Sequence, residues 1–284
     1  MTTQPADWPK RVSIIGVGLL GGSVALAIKQ AMPQCQIVGF SRTAKKREFL
    51  LQAGIVDRTA DTVQAACEHA DVVVVASLVD QIATIAKQAA AVTNEQCLIT
   101  DVGSTKATIV TETEDCPITT SKFVAAHPIA GSEKTGAENA TADLFKGKVV
   151  VLTPSKLTPS EQVRRATDFW QLTGGKVIRI SPQDHDTFLA AVSHVPHLVS
   201  AAVSRLTPSQ AGDLVGSGWR DITRVAAGDP DLWTAICQEN RAAIISELSR
   251  IIADMNDLKA FLERKDDRAL TKWLADAKTT KDNT

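Results

Sequence analysis

RVSIIGVGLLGGSVALAIK, residues 11–29, is the stretch on which the architecture turns. Arg11–Ile15 is a β-branched run of strand length, and Leu19–Gln30 carries apolar residues at helical spacing. Between them stand Gly16, Gly18 and Gly21, in the pattern G-x-G-x-x-G. In a strand–turn–helix the first glycine permits a tight turn, the second lets backbone approach a pyrophosphate, and the third allows close packing of helix on strand. The phosphates then meet the positive end of the helix, beside Leu19 and Leu20. Placed at the start of a strand–helix series, the pattern points to a dinucleotide site.

Outward from this unit, short apolar runs continue to alternate with helical patterns. Strands are expected at Gln36–Phe40, Asp71–Ala76, Gln96–Asp101, Lys122–Ala126, Lys148–Leu152 and Lys176–Ile180. The run Val72–Ala76 is apolar throughout, as in a parallel strand covered on both faces. The alternation predicts an α/β fold: a Rossmann-type dinucleotide-binding domain over residues 1–181. Beyond Ser181 only helical patterns remain, giving an all-α dimerisation and substrate domain over residues 182–284. Asp184–Leu206 reads as one helix bent by Pro196. Asp229–Pro230 reads as an N-cap followed by proline at the first helical position. From there, apolar residues recur at helical spacing from Leu232 to Leu262, a rod of roughly 50 Å at about 1.5 Å per residue. So long a stripe predicts a homodimer packed through the C-terminal helices. The tail TTKDNT is expected to fray.

The formal net charge of −1 provides no field to recruit nucleic acid or a membrane surface. Five scattered cysteines without a CxxC pair suggest reduced thiols, and no metal-ligand spacing is present. The N-terminus lacks a signal-like apolar core, and no apolar run is expected to approach the length of a membrane span, so a cytoplasmic protein is expected.

The second strand bears on the cofactor. A carboxylate about 20 residues past the glycines usually accepts the ribose hydroxyls of NAD. Here Phe40 is followed by Ser41, Arg42 and Thr43, which suit a 2′-phosphate, so NADP is favoured over NAD. Ser77, just past the strand Asp71–Ala76, joins the cofactor set. Catalytic candidates follow strand ends and the bent helix. Ser104 lies in DVGSTK (Asp101–Lys106). His127, with a pKa naturally near neutrality, is the preferred general base. Ser132 and Glu133 follow in HPIAGSEKTG (His127–Gly136). Ser193 and His197, four apart in SHVPH, share one helical face, while the role of His194 stays open. Ser217 sits in a glycine-rich loop, and Arg224 offers a planar fork for a substrate carboxylate.

Taken together, GVGLLGGS, DVGSTK, HPIAGSEKTG, SHVPH, RDITRVA (Arg220–Ala226) and DPDLW (Asp229–Trp233) resemble the prephenate/arogenate dehydrogenase family over nearly the whole chain. The resemblance implies oxidative decarboxylation of a cyclohexadienol in tyrosine biosynthesis, with reduction of NAD(P). It implies that His127 takes the ring hydroxyl proton, with Ser104 hydrogen-bonding nearby, and that Arg224 grips the ring carboxylate. By the same analogy, Ser193 and His197 lie near the substrate side chain, Glu133 tunes the entrance, and the helical domains form a dimer. Many members have threonine at Ser132 and an aspartate where this chain has Ser41-Arg42. No mutase or regulatory module is expected. Two rival readings are a β-hydroxyacid dehydrogenase-like oxidoreductase and a non-catalytic NADP-binding sensor. The first typically relies on a lysine in the helical half; the second would have no need of His127, Ser104 and Arg224 together.

Overall fold

The computed structural model describes residues 8–130 and 134–283. The first sheet contains β1 (Arg11–Ile15), β2 (Gln36–Phe40), β3 (Arg58–Ala60), β4 (Val72–Val75), β5 (Leu98–Asp101) and β6 (Phe123–Val124). Their order in space is β3-β2-β1-β4-β5-β6, and all five pairings are parallel. This is a doubly wound sheet whose strand order reverses between β1 and β4, leaving a crevice beyond their carboxyl ends. The connections carry α1 (Leu19–Ala31), α2 (Ala44–Gln52), α3 (Val63–Cys67), α4 (Ile82–Val92), α5 (Ala107–Glu114) and α6 (Pro117–Thr120). The side chains of β4 show why its sequence is apolar without alternation. Val72 and Val74 enter the core on one face, Val73 and Val75 the core on the other. Each valine so buried contributes roughly 1.5–3 kcal/mol.

Two details differ from the sequence reading. β3, which pairs beside β2, is too short to leave a periodic signal. The expected single strand Lys122–Ala126 divides into β6 and β7 (Ala126–Pro128), which belong to different sheets. The buried Asp101 explains the transfer, since its Oδ1 accepts the Ala126 N–H at 2.8 Å. β7 then pairs antiparallel with β8 (Val149–Leu152), which pairs parallel with β9 (Lys176–Arg179) across α7 (Ser160–Leu172). His127 is therefore the middle residue of a strand in a second, small sheet.

Past β9, the described residues form only helical elements. α8 (Pro182–Leu189), a single π-helical turn (Ala190–His194) and α9 (Val195–Leu206) form one 25-residue rod. By length and composition this rod could cross a membrane, contrary to the expectation that no segment approaches that size. Its buried His185, Asp186 and His194 bond to other parts of the fold, so one face of the rod packs against the rest of the protein. The π turn lies just before Pro196, where the missing backbone donor already disturbs the hydrogen-bond ladder.

α10 (Ser217–Thr223) leads to α11 (Pro230–Glu239), whose N-cap Asp229 accepts from the Asp231 and Leu232 amides. The expected continuous rod from here to Leu262 is interrupted: α11 ends at Asn240 and α12 (Arg241–Arg264) begins after it. Asn240 is buried, and its amide serves other elements, donating to the Asp186 carbonyl at 2.7 Å. α13 (Asp267–Asp282) takes in most of the tail expected to fray, and its Lys278 and Asp282 pair one turn apart. On α12, Ile245, Ile252, Met255 and Leu262 are each more than half exposed and repeat at helical spacing.

Candidate active site

A cleft of about 820 Å³ opens at the reversal point of the large sheet, bounded by the helical half. Gly16 forms its floor with φ +93°, and a Cβ there would lie 2.5 Å from the Ala76 carbonyl oxygen. A Cβ on Gly21 would lie 2.4 Å from the Gly16 carbonyl oxygen, so the first turn of α1 can sit this close to the β1–α1 turn only because residue 21 has no side chain. Gly18 begins α1 with no side-chain cap, and nothing stands within 4 Å of where its Cβ would be. The helix's first amides are thus left to a ligand, with Leu19 and Leu20 beside them in the cleft wall. These features fit a dinucleotide.

At the end of β2, Ser41 and Arg42 line the cleft together with Lys46, a cation the sequence reading did not assign. The Arg47 guanidinium shapes this loop, donating to the Ser41 carbonyl at 2.8 Å and pairing with Asp61 at 2.7 Å. Thr43 departs from the expected set: its hydroxyl accepts the Lys46 amide as the N-cap of α2, and it stands outside the cleft lining. Ser77, next to the Gly16 turn, lines the cleft.

The catalytic candidates converge from four segments. Ser104 comes from the β5–α5 loop, His127 from β7, Ser193, His194 and His197 from the π turn and the start of α9, and Arg224 from the 3-10 turn just after α10; all line the cleft. His194, whose role the sequence left open, thus faces the same space as Ser193 and His197. Its Nδ1 sits 3.0 Å from the Asn240 amide nitrogen, and its Nε2 is buried without a hydrogen-bond partner. Ser217 does not join the cluster: it is exposed on the first turn of α10, outside the cleft lining. Ser132 and Glu133 lie outside the described residues; Lys134 and Thr135, which follow them, line the cleft.

Behind the wall lies a polar frame that motif reading did not assign. Lys106 and Asp101 form a fully buried ion pair. Asp101 also accepts the Gly103 amide at 2.8 Å, which holds the loop bearing Ser104. From α8, Asp186 accepts the Lys106 and Ala107 amides, both at 2.8 Å, and so caps α5. His185, beside it, has its Nδ1 2.7 Å from Asp186 Oδ1 and its Nε2 2.9 Å from His127 Nδ1. The only sequence hint is the run Asp184-His185-Asp186, in which two of the three polar residues prove buried. His197 stacks on Trp233, with ring centroids 3.4 Å apart and planes at 13°. In the sequence Trp233 belongs to the apolar stripe and to the DPDLW block, and neither assigns it a role at the site.

Burial holds the His127 imidazole well below the usual histidine range, and the fields of His185, Lys106 and His194 push the same way. His194 is pushed down to about 4, chiefly by burial and against the pull of Asp186. Burial lowers His197 too. At neutral pH this cleft presents uncharged imidazoles, which suits proton acceptance.

An open sheet whose glycine turn fits a dinucleotide, beside an uncharged imidazole, has the arrangement of a nicotinamide-dependent oxidoreductase, with its cleft lined by both halves of the chain. Comparison with known proteins narrows the class. The nucleotide-binding domain of prephenate dehydrogenase matches residues 24–179, and its dimerization domain matches residues 181–276. The prephenate dehydrogenase of Bacillus subtilis (strain 168) is 30% identical over 278 residues, covering 95% of this chain and 75% of that protein. The cyclohexadienyl dehydrogenase of Zymomonas mobilis is 30% identical over 264 residues, covering 90% of each. The crystal structure of A. aeolicus prephenate dehydrogenase, in complex with hydroxyphenyl propionate and NAD+, superposes with a TM-score of 0.90. It has 29% identity and covers 98% of this chain and 99% of that one. The chain belongs to the prephenate dehydrogenase family.

Proposed function

We propose that this protein oxidises and decarboxylates prephenate, arogenate or both, passing hydride to NADP in preference to NAD. The observation that carries the reading is that a neutral histidine, His127, and an arginine, Arg224, line the same cleft as the Gly16–Gly21 cradle. When bound, the nicotinamide supplies the hydride acceptor. The pyrophosphate would rest on the amides of Leu19 and Leu20 at the start of α1, with Ser77 alongside. Ser41, Arg42 and Lys46 would take a 2′-phosphate, and the absence of a carboxylate between Phe40 and Glu48 favours that phosphate.

In this reading His127 Nε2 takes the proton of the ring hydroxyl as the carbon beneath it is oxidised. Ser104 orients that hydroxyl. Arg224 holds the ring carboxylate until it departs as carbon dioxide, and aromatisation of the ring drives the step. Ser193 and His197 flank the substrate side chain, where the amino or keto group distinguishes the two substrates. The protein's main contribution is positioning, together with one proton acceptor that burial keeps uncharged. Residues 1–181 would form the cofactor half and 182–284 the substrate half. The exposed stripe Ile245, Ile252, Met255 and Leu262 would be covered by a second copy of the chain, because an unpartnered stripe of this extent is costly in water.

A two-by-two assay tests the reading: prephenate and arogenate, each with NAD and NADP, followed by absorbance of the reduced nicotinamide. Turnover of at least one substrate, with a lower KM for NADP, is expected. Calorimetric binding of cofactor with no substrate-dependent reduction would refute it in favour of a non-catalytic sensor.

A further inference from the structure

His127 does not meet the cleft alone. Its Nδ1 lies 2.9 Å from Nε2 of His185, which is fully buried, and His185 Nδ1 lies 2.7 Å from the Asp186 carboxylate. Asp186 is in turn fixed by two backbone amides at the start of α5. A carboxylate bound by amide donors only accepts hydrogen bonds, so the proton between it and His185 belongs to His185 Nδ1. With that single proton on Nδ1, the His185 ring has its lone pair on Nε2. That nitrogen can only accept, so the proton in the next bond belongs to His127 Nδ1. The lone pair of His127 is left on Nε2, the ring nitrogen turned away from His185.

We infer that His185 and Asp186 are positioning residues that fix the tautomer of His127, so that the free Nε2 faces the substrate. The inference rests on His127 acting as the base. It assigns a catalytic reason to an interaction between the two halves of the chain, since Asp186 and His185 come from α8 and His127 from β7. When His127 Nε2 takes the hydroxyl proton, the O–H bond breaks and an N–H bond forms. The resulting imidazolium points its Nδ1–H at His185, whose own Nδ1–H remains on the carboxylate. The positive charge is therefore stabilised through two aligned hydrogen bonds without further proton transfer.

The other charged or titratable groups around His127 do not supply this control. Lys106, from the β5–α5 loop, is tied to Asp101. His194, from the π turn, has its Nδ1 on Asn240. Lys134 and Arg224 line the cleft itself.

Two variants and one measurement on the wild-type protein test the inference. His185→Leu removes the acceptor for His127 Nδ1–H. His185→Gln keeps an oxygen near the Nε2 position, with its NH2 drawn towards Asp186. With cofactor Kd and Tm near wild type in both, kcat is expected to fall about 10²-fold or more in His185→Leu and to stay within about 10-fold in His185→Gln. KM for the substrate should change little in either. Equal kcat in the two variants, high or low, overturns the inference. His127→Asn serves as the check on the base itself. If it loses kcat while His185→Leu does not, only the tautomer assignment falls; if it too keeps kcat, the base assignment falls first. Nitrogen-15 shifts of histidine-labelled wild-type protein give an answer independent of how the variants fold. Protonated Nδ1 and bare Nε2 are expected at both His127 and His185, and a protonated Nε2 on His127 at neutral pH refutes the assignment.

Discussion

The buried histidine His194 makes the fold acid-sensitive by an amount that can be worked out. Its imidazole is pushed from 6.5, the ordinary histidine value, down to about 4, with burial as the leading cause. The folded protein thus resists a proton that the unfolded chain accepts readily, and the sign follows from linkage. Above pH 6.5 neither state is protonated at this ring, and its contribution is fully present. Between 6.5 and about 4 the unfolded chain binds the proton first, so stability falls as pH falls. At about 1.36 kcal/mol per pH unit the loss is about 2 kcal/mol at pH 5 and about 3 kcal/mol at pH 4. Carboxylates titrate in the same range, so the comparison must be made against His194→Gln, which has the carboxylates but not the ring. Urea unfolding of both proteins at pH 7.5, 6.5, 5.5 and 4.5 gives the difference directly. The wild-type advantage should be constant above pH 6.5 and should shrink by about 2–3 kcal/mol towards the acid end. Parallel stability curves would show that His194 titrates as an ordinary histidine and that the burial argument is wrong.

Other outcomes are expected from single substitutions. His127→Asn should lower kcat by about 10²–10⁴ while leaving cofactor Kd unchanged, read by steady-state kinetics and calorimetry; intact kcat would remove it as the base. Arg42→Ala should raise KM for NADP by about 10-fold or more and change KM for NAD little, and equal shifts would dismiss the 2′-phosphate contact. Ile252→Glu, on the exposed stripe of α12, should convert a dimer to monomer in sedimentation at micromolar concentration; an unchanged mass would place the interface elsewhere.

The parts of this molecule that are legible in its sequence are those set by local rules. The Gly16–Gly21 turn needs specific backbone freedom, and the near-continuous Val72–Val75 run needs two cores, so both can be read directly. The Asp229–Pro230 cap is legible for the same reason. What stays hidden depends on distant partners. Nothing in the local pattern marks Asn240 as a break, because the helix divides where that side chain turns to Asp186, 54 residues away, and to His194, 46 away. The division of Lys122–Ala126 between two sheets follows from Asp101, 25 residues upstream. Thr43 shows a second use of one residue: beside Arg42 it has the look of a phosphate ligand, and the start of α2 also uses its hydroxyl as a cap.

The same long-range contacts connect stability to chemistry. Asp186 caps α5, the helix that follows the Ser104 loop, orients His185, and offers its carbonyl to Asn240 at the α11–α12 break. A residue making all three contacts keeps the cleft walls in register as a unit. It is only 4% exposed, and buried charge is tolerated only when its lone pairs are met by donors. Asp186→Ala would strand the Lys106 and Ala107 amides and His185 together. Its cost to stability should therefore exceed the roughly 1 kcal/mol of an ordinary helix-cap loss, reaching about 3 kcal/mol or more in urea unfolding. A change confined to about 1 kcal/mol would mean that the cap alone is at stake, and that the two halves do not depend on this carboxylate to stay aligned.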